Sequence, residues 1–272
     1  MINPMLCKVF EGDISKIPYK VWFEIKYDGG RVICDTTGKY GSPVIWSRRG
    51  NHLNNQFPDI MKDLSQQKKA VFDGELVAFD RYGISDFNLF QRRLVSNPIE
   101  IQQRVNSIPA TLMVFDIIEL DGQRLTNLPL KDRYEILKKT LKETPHIKLT
   151  PHFDTPDKLL TMHNIEGIVI KKVDGGYFEG KRFDVWQKLK FTQEATVKVT
   201  GYEKHPAGIL MITEEGYRVN CNGCQSEIGK KLLDKKQEFK IEIVFLEKTN
   251  GGKLRFPSFK RYVDVDGDVM AI

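Results

Sequence analysis

The sequence predicts an α+β protein with two parts, a larger domain of mixed sheets and helices followed by a small β-barrel. Up to about residue 190, strand-like runs such as "VWFEIK", "AVFDGELVAFD" and "TLMVFDIIEL" alternate with polar stretches that have helical character at 58–68 and 131–143. After that point the strand-like runs follow one another almost without interruption. This change of character predicts a domain boundary near residue 190.

The second part has the layout of an OB-type barrel. Five strand-like runs, "ATVKVTGYEK", "GILMIT", "YRVNCN", "EFKIEIVFLEKT" and "KLRFPSFKRYV", surround one helical stretch at 226–235. Small barrels of this layout often bind nucleic acid. We therefore expect domains at 1–190 and 191–272, with a hinge at "FTQEAT" (191–196).

Composition indicates a folded protein with no membrane partner. Of the 272 residues, 40% are hydrophobic and 29% are charged, which disfavours extended disorder. No apolar run in the sequence approaches the roughly 20 residues that a membrane-spanning helix needs. The N-terminal "MINPMLCKVF" lacks the basic-then-apolar layout of a signal peptide. We expect a monomer in the cytoplasm or, for a viral protein, in the host cytoplasm or nucleoid.

Cysteine and histidine spacing gives no signal for a metal site or a catalytic triad. Cys221 and Cys224 form a C-x-x-C pair, but "NCNGCQ" contains an Asn-Gly turn, and no second Cys/His pair stands at zinc-site spacing. The five histidines are dispersed along the chain. We interpret the two cysteines as side chains flanking a turn and predict no metal there.

Net charge favours an anionic partner without naming it. Lysine and arginine number 42 against 36 acidic residues, a formal charge of +6. Such an excess is common in proteins that bind phosphate backbones and also occurs as an ordinary solubilising surface.

Three short patterns place charged side chains at strand positions. In "EIKYDGGR" the Asp-Gly-Gly sequence, taken alone, indicates a hairpin turn, because glycine takes positive φ without strain. Period-two alternation then puts Asp73 and Glu75 on one face of "FDGELVAFD", and Trp186, Lys188 and Lys190 on one face of "WQKLK". Adjacent ammonium groups favour a phosphate between them, although a solvated basic edge strand is the alternative.

The blocks that carry these patterns resemble a known family. "EIKYDGGR" (24–31), "SRRG" (47–50), "FDGELVAFD" (72–80), "FDII" (115–118), "EGIVIKK" (166–172) and "WQKLK" (186–190) resemble, in order and spacing, the nucleotidyltransferase motifs of ATP-dependent DNA ligases. The resemblance implies an adenylation domain at 1–190 and an OB-fold domain at 191–272. It implies a minimal enzyme that uses ATP and Mg²⁺ (or Mn²⁺) to seal nicked duplex DNA.

The resemblance also implies a role for each matching residue. Lys26 is similar to the lysine that attacks the α-phosphate and carries AMP. Glu166 is similar to a metal-binding carboxylate, and Glu75 to the acid that binds the ribose and assists the metal. The other residues that it implies for nucleotide binding are Glu24, Arg31, Arg48, Phe115 (stacked on adenine), Arg182 (in a loop before the last block), Lys188 and Lys190.

One departure from the family pattern lies near the C-terminus. Members end the barrel with an Arg-x-Asp-Lys element, whereas this chain has "RFPSFKRYV" and Val263 stands where the arginine is expected. Arg261, Lys260 and Arg255 are candidates to replace it. A capping-type guanylyltransferase, an RNA end-joining ligase and a non-catalytic OB-containing binding protein are the alternative functions.

Overall fold

The computed structural model describes residues 2–162, 165–206, 208–235, 239–246, 248, 252–254 and 257–263. The chain divides into two compact units, Met1–Leu189 and Lys190–Ile272. The expectation for Arg255 lies outside the described residues. None of the helices in the described part of the chain combines the length and apolar character that crossing a bilayer requires.

The first unit contains two sheets. The larger has six strands in the order β4-β3-β5-β6-β7, with β8 paired to β6. The smaller has four strands in the order β1-β10-β9-β2. The strands of the unit are β1 (Leu6–Val9), β2 (Val21–Ile25), β3 (Gly30–Asp35), β4 (Val44–Ser47), β5 (Ala70–Ala78), β6 (Ala110–Leu120), β7 (Gln123–Arg124), β8 (Ile147–Leu149), β9 (Gly167–Lys172) and β10 (Arg182–Lys190).

Helices pack on one face of the larger sheet. α1 (Pro58–Leu64), α2 (Phe87–Arg93) and α4 (Leu130–Thr140) contact its strands, and α3 (Pro98–Ser107) contacts α2. The unit also contains α5 (Asp157–Leu160) and a 3₁₀ turn at Ile14–Lys16. Alternation along β3 and β5 sends Val32 and Phe72 into a core with Phe57, Ile60 and Leu137. The predicted stretches 58–68 and 131–143 correspond to α1 and α4. The sequence reading missed α2 and α3.

The opposite face of the larger sheet forms a second, smaller core. Met5, Ile33, Phe115, Tyr177 and Trp186 are buried together there. Ile33 and Phe115 come from the larger sheet and Trp186 comes from the smaller one, so the two sheets share this core. Polar residues two positions away on the same strand, such as Arg31 beside Ile33, share this face and are therefore held between the sheets, where burial makes each unpaired charge costly.

The second unit is a closed five-stranded barrel in the order β11-β12-β13-β15-β14. Its elements are β11 (Gln193–His205), β12 (Gly208–Thr213), β13 (Arg218–Asn222), α6 (Cys224–Asp234), β14 (Phe239–Phe245) and β15 (Ser258–Val263). Alternating apolar residues, among them Val197, Met211, Val219, Ile241 and Ile243, fill its interior. The predicted fold class, an α+β domain followed by an OB-type barrel, is confirmed.

The segment between the two units is shorter than expected, whereas the turn expected between Cys221 and Cys224 is present. The hinge expected at 191–196 is too long, because β10 ends at Lys190 and β11 begins at Gln193, which leaves residues 191–192 between the strands. Cys221 is buried at the end of β13, and Gly223 adopts a φ of +65° before α6 begins at Cys224. The Asn-Gly pair thus turns the chain from strand to helix.

Candidate active site

Lys26 lies immediately after β2, at the edge of the smaller sheet. Its backbone N–H donates to the carbonyl of Gly167, 3.0 Å away, at the start of β9. Its ammonium group contacts the carboxylate of Glu166, which is 7% exposed. The pairing of β2 with β9 therefore fixes the contact, because Gly167 binds the Lys26 backbone and the preceding residue, Glu166, binds the Lys26 ammonium.

The turn after Lys26 is not a hairpin, so that interpretation of Asp-Gly-Gly is wrong. β2 pairs with β9, whereas β3 pairs with β4 and β5 in the other sheet. Neither Gly29 nor Gly30 is among the glycines with positive φ. A Cβ at Gly29 would lie 2.1 Å from the carbonyl oxygen of Leu76, and one at Gly30 would lie 2.3 Å from the ring of Phe90. Glycine is needed here for close approach rather than for φ.

Five of the predicted residues line one pocket between the two sheets. Glu24, Lys26, Arg31, Glu75 and Phe115 come from β2, the turn, β3, β5 and β6. The structure adds six lining residues that were not predicted for this site: Cys7, Ile25, Tyr27, Val169, Lys171 and Trp186.

The main charged group that the sequence reading missed is Lys171. It is 1% exposed and pairs with Glu24, which is 2% exposed, at 2.7 Å. Its ammonium lies 4.5 Å from the Phe115 ring centroid and 4.2 Å from that of Trp186. The sequence did contain a signal for this pair: one acidic residue in the apolar run "VWFEI" and one basic residue in the apolar run "GIVIK". Charges buried in such runs need partners, so the two could have been predicted to pair.

The two carboxylate oxygens of Glu24 differ in their hydrogen bonding. Oε2 accepts from Lys171, while the buried Oε1 has no hydrogen-bond partner among the described residues. Burial raises the pKa of Glu24, although the Lys171 charge opposes that shift. A buried acceptor without a donor is costly, so a ligand that supplied an N–H or O–H here would stabilise the site.

Arg31 is held by Asp73 on the neighbouring strand. Its Nε and Nη2 donate to the two carboxylate oxygens of Asp73 at 2.5 and 2.6 Å, a bidentate pair. The guanidinium carbon lies 4.5 Å from the Phe115 centroid. Arg31 was predicted to hold the nucleotide, and the structure places it in the pocket with two of its nitrogens already engaged.

Four cations act electrostatically on the thiol of Cys7. Burial raises the pKa of Cys7, while the charges of Arg31, Lys171, Lys26 and Lys188 act to lower it. Three of these cations, Arg31, Lys171 and Lys26, line the same pocket as Cys7, where they could contact an anionic ligand such as a phosphate group.

The remaining predicted residues do not line this pocket. Arg48 is exposed in the turn after β4, and its backbone N–H donates to the carbonyl of Arg31 at 3.0 Å. Arg182 is the first residue of β10, not a loop residue as expected, and it donates to the carbonyl of Cys7. Lys188 and Lys190 stand on β10 at alternate positions after Trp186, which does line the pocket.

Burial strongly perturbs the acid equilibrium of Glu75. Burial raises its pKa to about 8, with the positive charges of Arg31 and Lys26 opposing the shift. Its side chain is partly exposed. A carboxyl group with this pKa is mainly neutral below pH 8 and can then both donate and accept hydrogen bonds.

We expect Glu75→Gln to stabilise the protein, and more so at pH 8 than at pH 5. An acid whose folded pKa is raised lowers stability as pH climbs from its ordinary value toward the folded pKa, because only the unfolded chain then ionises freely. Glutamine does not titrate, so its advantage should grow over that window by roughly 1 to 3 kcal/mol. Urea unfolding at both pH values measures it.

Glu119→Gln is the control for that comparison. Glu119 lies in the same sheet, at the end of β6, and its side chain is 22% exposed beside Arg124. This variant measures what the same exchange of carboxylate for amide does in this sheet outside the pocket. A Glu75→Gln advantage that is equal at pH 5 and pH 8 would contradict the raised pKa.

A divalent cation at this site would need ligands besides the carboxylates in the described part of the chain. Glu166 and Glu75 are the predicted ligands, and among the described residues no group of three or more His, Cys, Asp or Glu side chains could hold a metal alone. Mg²⁺ commonly binds through one or two carboxylates together with substrate phosphates and water. The donor set is compatible with that mode.

Comparison with known proteins identifies the family. The family model described as "ATP dependent DNA ligase domain" matches residues 4–190, which include the whole pocket. The chain belongs to this family. The match ends where β10 ends, so it covers both sheets of this ligase domain and stops before the barrel.

Individual relatives agree with that assignment. The chain is 28% identical over 279 residues to the SPbeta prophage-derived DNA ligase-like protein LigB of Bacillus subtilis (strain 168), covering 96% of this chain and 98% of that protein. It is 31% identical over 184 residues to a DNA ligase of Thermococcus fumicolans. That match covers 63% of this chain but only 32% of the archaeal ligase.

Solved structures support the fold of both units. A structure from a study of Lig E DNA ligases has a TM-score of 0.69 at 19% identity, covering 97% of this chain and all of that chain (100%). At this identity the similarity supports the fold alone.

Proposed function

We propose that this chain seals nicks in duplex DNA with ATP, through an AMP group carried on Lys26. The observation that carries the proposal is the position of the Lys26 amine. It lies against the Glu166 carboxylate at the border of a pocket where cations, rings and a buried acceptor meet. Membership of the ATP-dependent DNA ligase domain family supports the same chemistry.

In the first step the Lys26 Nζ would attack the α-phosphorus of ATP. A P–N bond forms, the bond from the α-phosphorus to the pyrophosphate oxygen breaks, and pyrophosphate leaves. The nucleophile must be the neutral amine, so a proton has to leave Nζ. Glu166 is the hydrogen-bonded acceptor for that proton. Phosphoryl-type transfer otherwise depends on positioning and on charge stabilisation, which Arg31 and the lysines supply.

In the second and third steps AMP passes to DNA and is then released. A 5′-phosphate oxygen at the nick attacks the phosphorus of the lysyl-AMP, which breaks the P–N bond and forms a DNA-adenylate. The 3′-hydroxyl then attacks the 5′-phosphorus, forms the phosphodiester and expels AMP. The exposed guanidinium of Arg48 is our candidate for holding the nick phosphates.

Glu166 and Glu75 would hold a divalent cation when nucleotide is bound. The ion would offset negative charge as it develops on the phosphate oxygens.

We assign adenine to this pocket because the family is ATP-dependent. The Oε1 of Glu24 is a buried acceptor that the exocyclic amine of adenine could satisfy. The Phe115 ring at the same pocket is our candidate to pack on the base, and Glu75 to bind the ribose hydroxyls.

The barrel contributes basic residues that are already paired. Lys260 lies 2.7 Å from Glu194, and Arg261 contacts Glu242. We retain Arg261 as our candidate for the arginine that the family has at the position of Val263. To act in that role, Arg261 would leave Glu242 and bind pyrophosphate instead. Arg261→Ala should then slow self-adenylylation and leave sealing of pre-adenylylated nicks unchanged.

The proposal is tested with labelled nucleotides and a nicked duplex. The intact chain should become labelled by α-labelled ATP but not by GTP, and should seal a nicked DNA duplex with affinity that falls steeply as salt rises. Covalent labelling by GTP would indicate a guanylyltransferase. Sealing of RNA ends in preference to DNA would indicate an RNA ligase, and no covalent nucleotide would indicate a binding protein.

A further inference from the structure

A buried hydroxyl lies behind the Arg31–Asp73 pair. Asp73 is 0% exposed, and its Oδ2 accepts from Arg31 Nη2 at 2.6 Å and from the Tyr177 hydroxyl at 2.5 Å. Its Oδ1 accepts from Arg31 Nε at 2.5 Å. Tyr177 therefore donates to the carboxylate that fixes the plane of the guanidinium.

The same hydroxyl also binds the N-terminal segment. The Met5 backbone N–H donates to the Tyr177 oxygen at 3.0 Å, and the Met5 carbonyl accepts from Arg31 Nη2 at 3.4 Å. Arg31, Asp73, Tyr177 and Met5 thus form a closed ring of hydrogen bonds. Cys7, two residues after Met5, lines the nucleotide pocket.

Tyr177 is held in one orientation by its surroundings. Its side chain is 4% exposed, and its ring packs edge-on against Trp186 with centroids 5.7 Å apart. Burial raises the pKa of the hydroxyl well above its ordinary value, with the Asp73 charge acting in the same direction, so the group stays a donor. No part of Tyr177 is among the side chains that line the pocket.

We propose that Tyr177 is a positioning residue for ATP, which acts through Asp73 and Met5 to fix the Arg31 guanidinium and the N-terminal wall of the nucleotide pocket. The inference rests on the proposed ATP-dependent function. It adds Tyr177 and the segment around Met5 to the residues that decide nucleotide affinity, although neither needs to touch the nucleotide.

Tyr177→Phe tests this because it removes one oxygen and keeps the ring. Asp73 then loses a donor and the Met5 N–H loses its acceptor, so Arg31 can take more than one orientation. Hydrogen bonds to charged groups are the stronger class, and we expect the KM for ATP in self-adenylylation to rise about tenfold. The maximal rate of labelling should change less than about threefold, because the attacking and accepting groups are untouched.

Tyr134→Phe is the matched control. Tyr134 is 7% exposed and its hydroxyl also makes a buried hydrogen bond, to the Thr150 carbonyl at 3.1 Å, outside the Arg31 ring. Tyr177→Phe should lower thermal stability more than Tyr134→Phe, because it removes two hydrogen bonds, one of them to a carboxylate. Only Tyr177→Phe should raise the KM for ATP. Equal KM values in the two variants would overturn the proposal.

A double-mutant cycle shows whether the effect passes through the pair. In an Arg31→Lys background, which keeps the charge but lacks the planar fork, Tyr177→Phe should add little further loss. Independent, multiplying effects on KM would assign Tyr177 a purely structural role. If the wild-type chain takes no label from ATP, the proposed function itself fails, whereas normal wild-type labelling with an unaffected Tyr177→Phe variant refutes only this inference.

Discussion

Replacement of Lys26 by alanine or arginine is expected to abolish covalent labelling by ATP and leave the fold intact. Only a neutral amine at this position can attack the α-phosphorus, and an arginine keeps its proton at all accessible pH values. The Lys26 side chain is 21% exposed and has no part in either core, so the fold should survive its loss. The melting temperature should fall moderately, because the buried Glu166 carboxylate loses one cationic partner. Labelling with α-labelled ATP and a thermal unfolding curve measure the two quantities.

Lys172→Arg is the control for Lys26→Arg. Lys172 ends β9 on the same sheet, its side chain is 25% exposed, and it pairs with Asp184 at 2.8 Å. This variant should label as the wild type does. Covalent AMP on a Lys26 variant would mean that another side chain is the nucleophile. A Lys26→Arg variant that seals pre-adenylylated nicks would show that only the lysyl-AMP step was lost.

The two strands that carry the Lys26–Glu166 contact could be predicted as strands because both signals are local. "VWFEIK" and "EGIVIKK" are apolar runs of strand length, and the structure pairs them as β2 and β9. The family resemblance added that Lys26 and Glu166 belong to one site. Their direct contact depends on the register of two strands far apart in sequence, which no local pattern specifies.

The turn at Gly29 and Gly30 shows where a local rule fails. Asp-Gly-Gly between apolar runs has the composition of a hairpin, yet the strands on either side belong to different sheets. The reason for glycine is the Phe90 ring on α2, a helix that the sequence reading missed. Asp86 caps that helix by accepting from the backbone N–H groups of Asn88 and Leu89, a signal that was available in "SDFNLF".

Long-range polar contacts were the least accessible to sequence reasoning. The sequence analysis placed Asp73 and Glu75 on the same face of one strand. It did not predict Arg31 and Tyr177 as the hydrogen-bond partners of Asp73. The hydrogen bonds from Arg31 and Tyr177 join residues separated by 42 and 104 positions in the chain. Such pairs become visible only when sheet order is known, since burial of a charge indicates that a partner exists without naming it.

Glu166→Ala should lower the rate of self-adenylylation by roughly 10²- to 10³-fold, the loss seen when one group that stabilises developing charge is removed. Glu166 contacts the Lys26 ammonium and is our candidate acceptor for its proton. The free energy of unfolding should fall by much less than the activation free energy rises. The Lys26 side chain is 21% exposed, so water can solvate the ammonium that loses its partner.

Glu166→Gln separates charge from packing at the same position. It keeps the size of the side chain and cannot take the Lys26 proton, so its labelling rate should match that of Glu166→Ala. Solvent base can take that proton instead, and the rate of the Gln variant should therefore rise more with pH than that of the wild type. Single-turnover labelling from pH 6 to pH 9, beside thermal unfolding of each variant, measures both. A Gln variant that labels at the wild-type rate would show that the Glu166 carboxylate neither takes the proton nor stabilises charge in the first step.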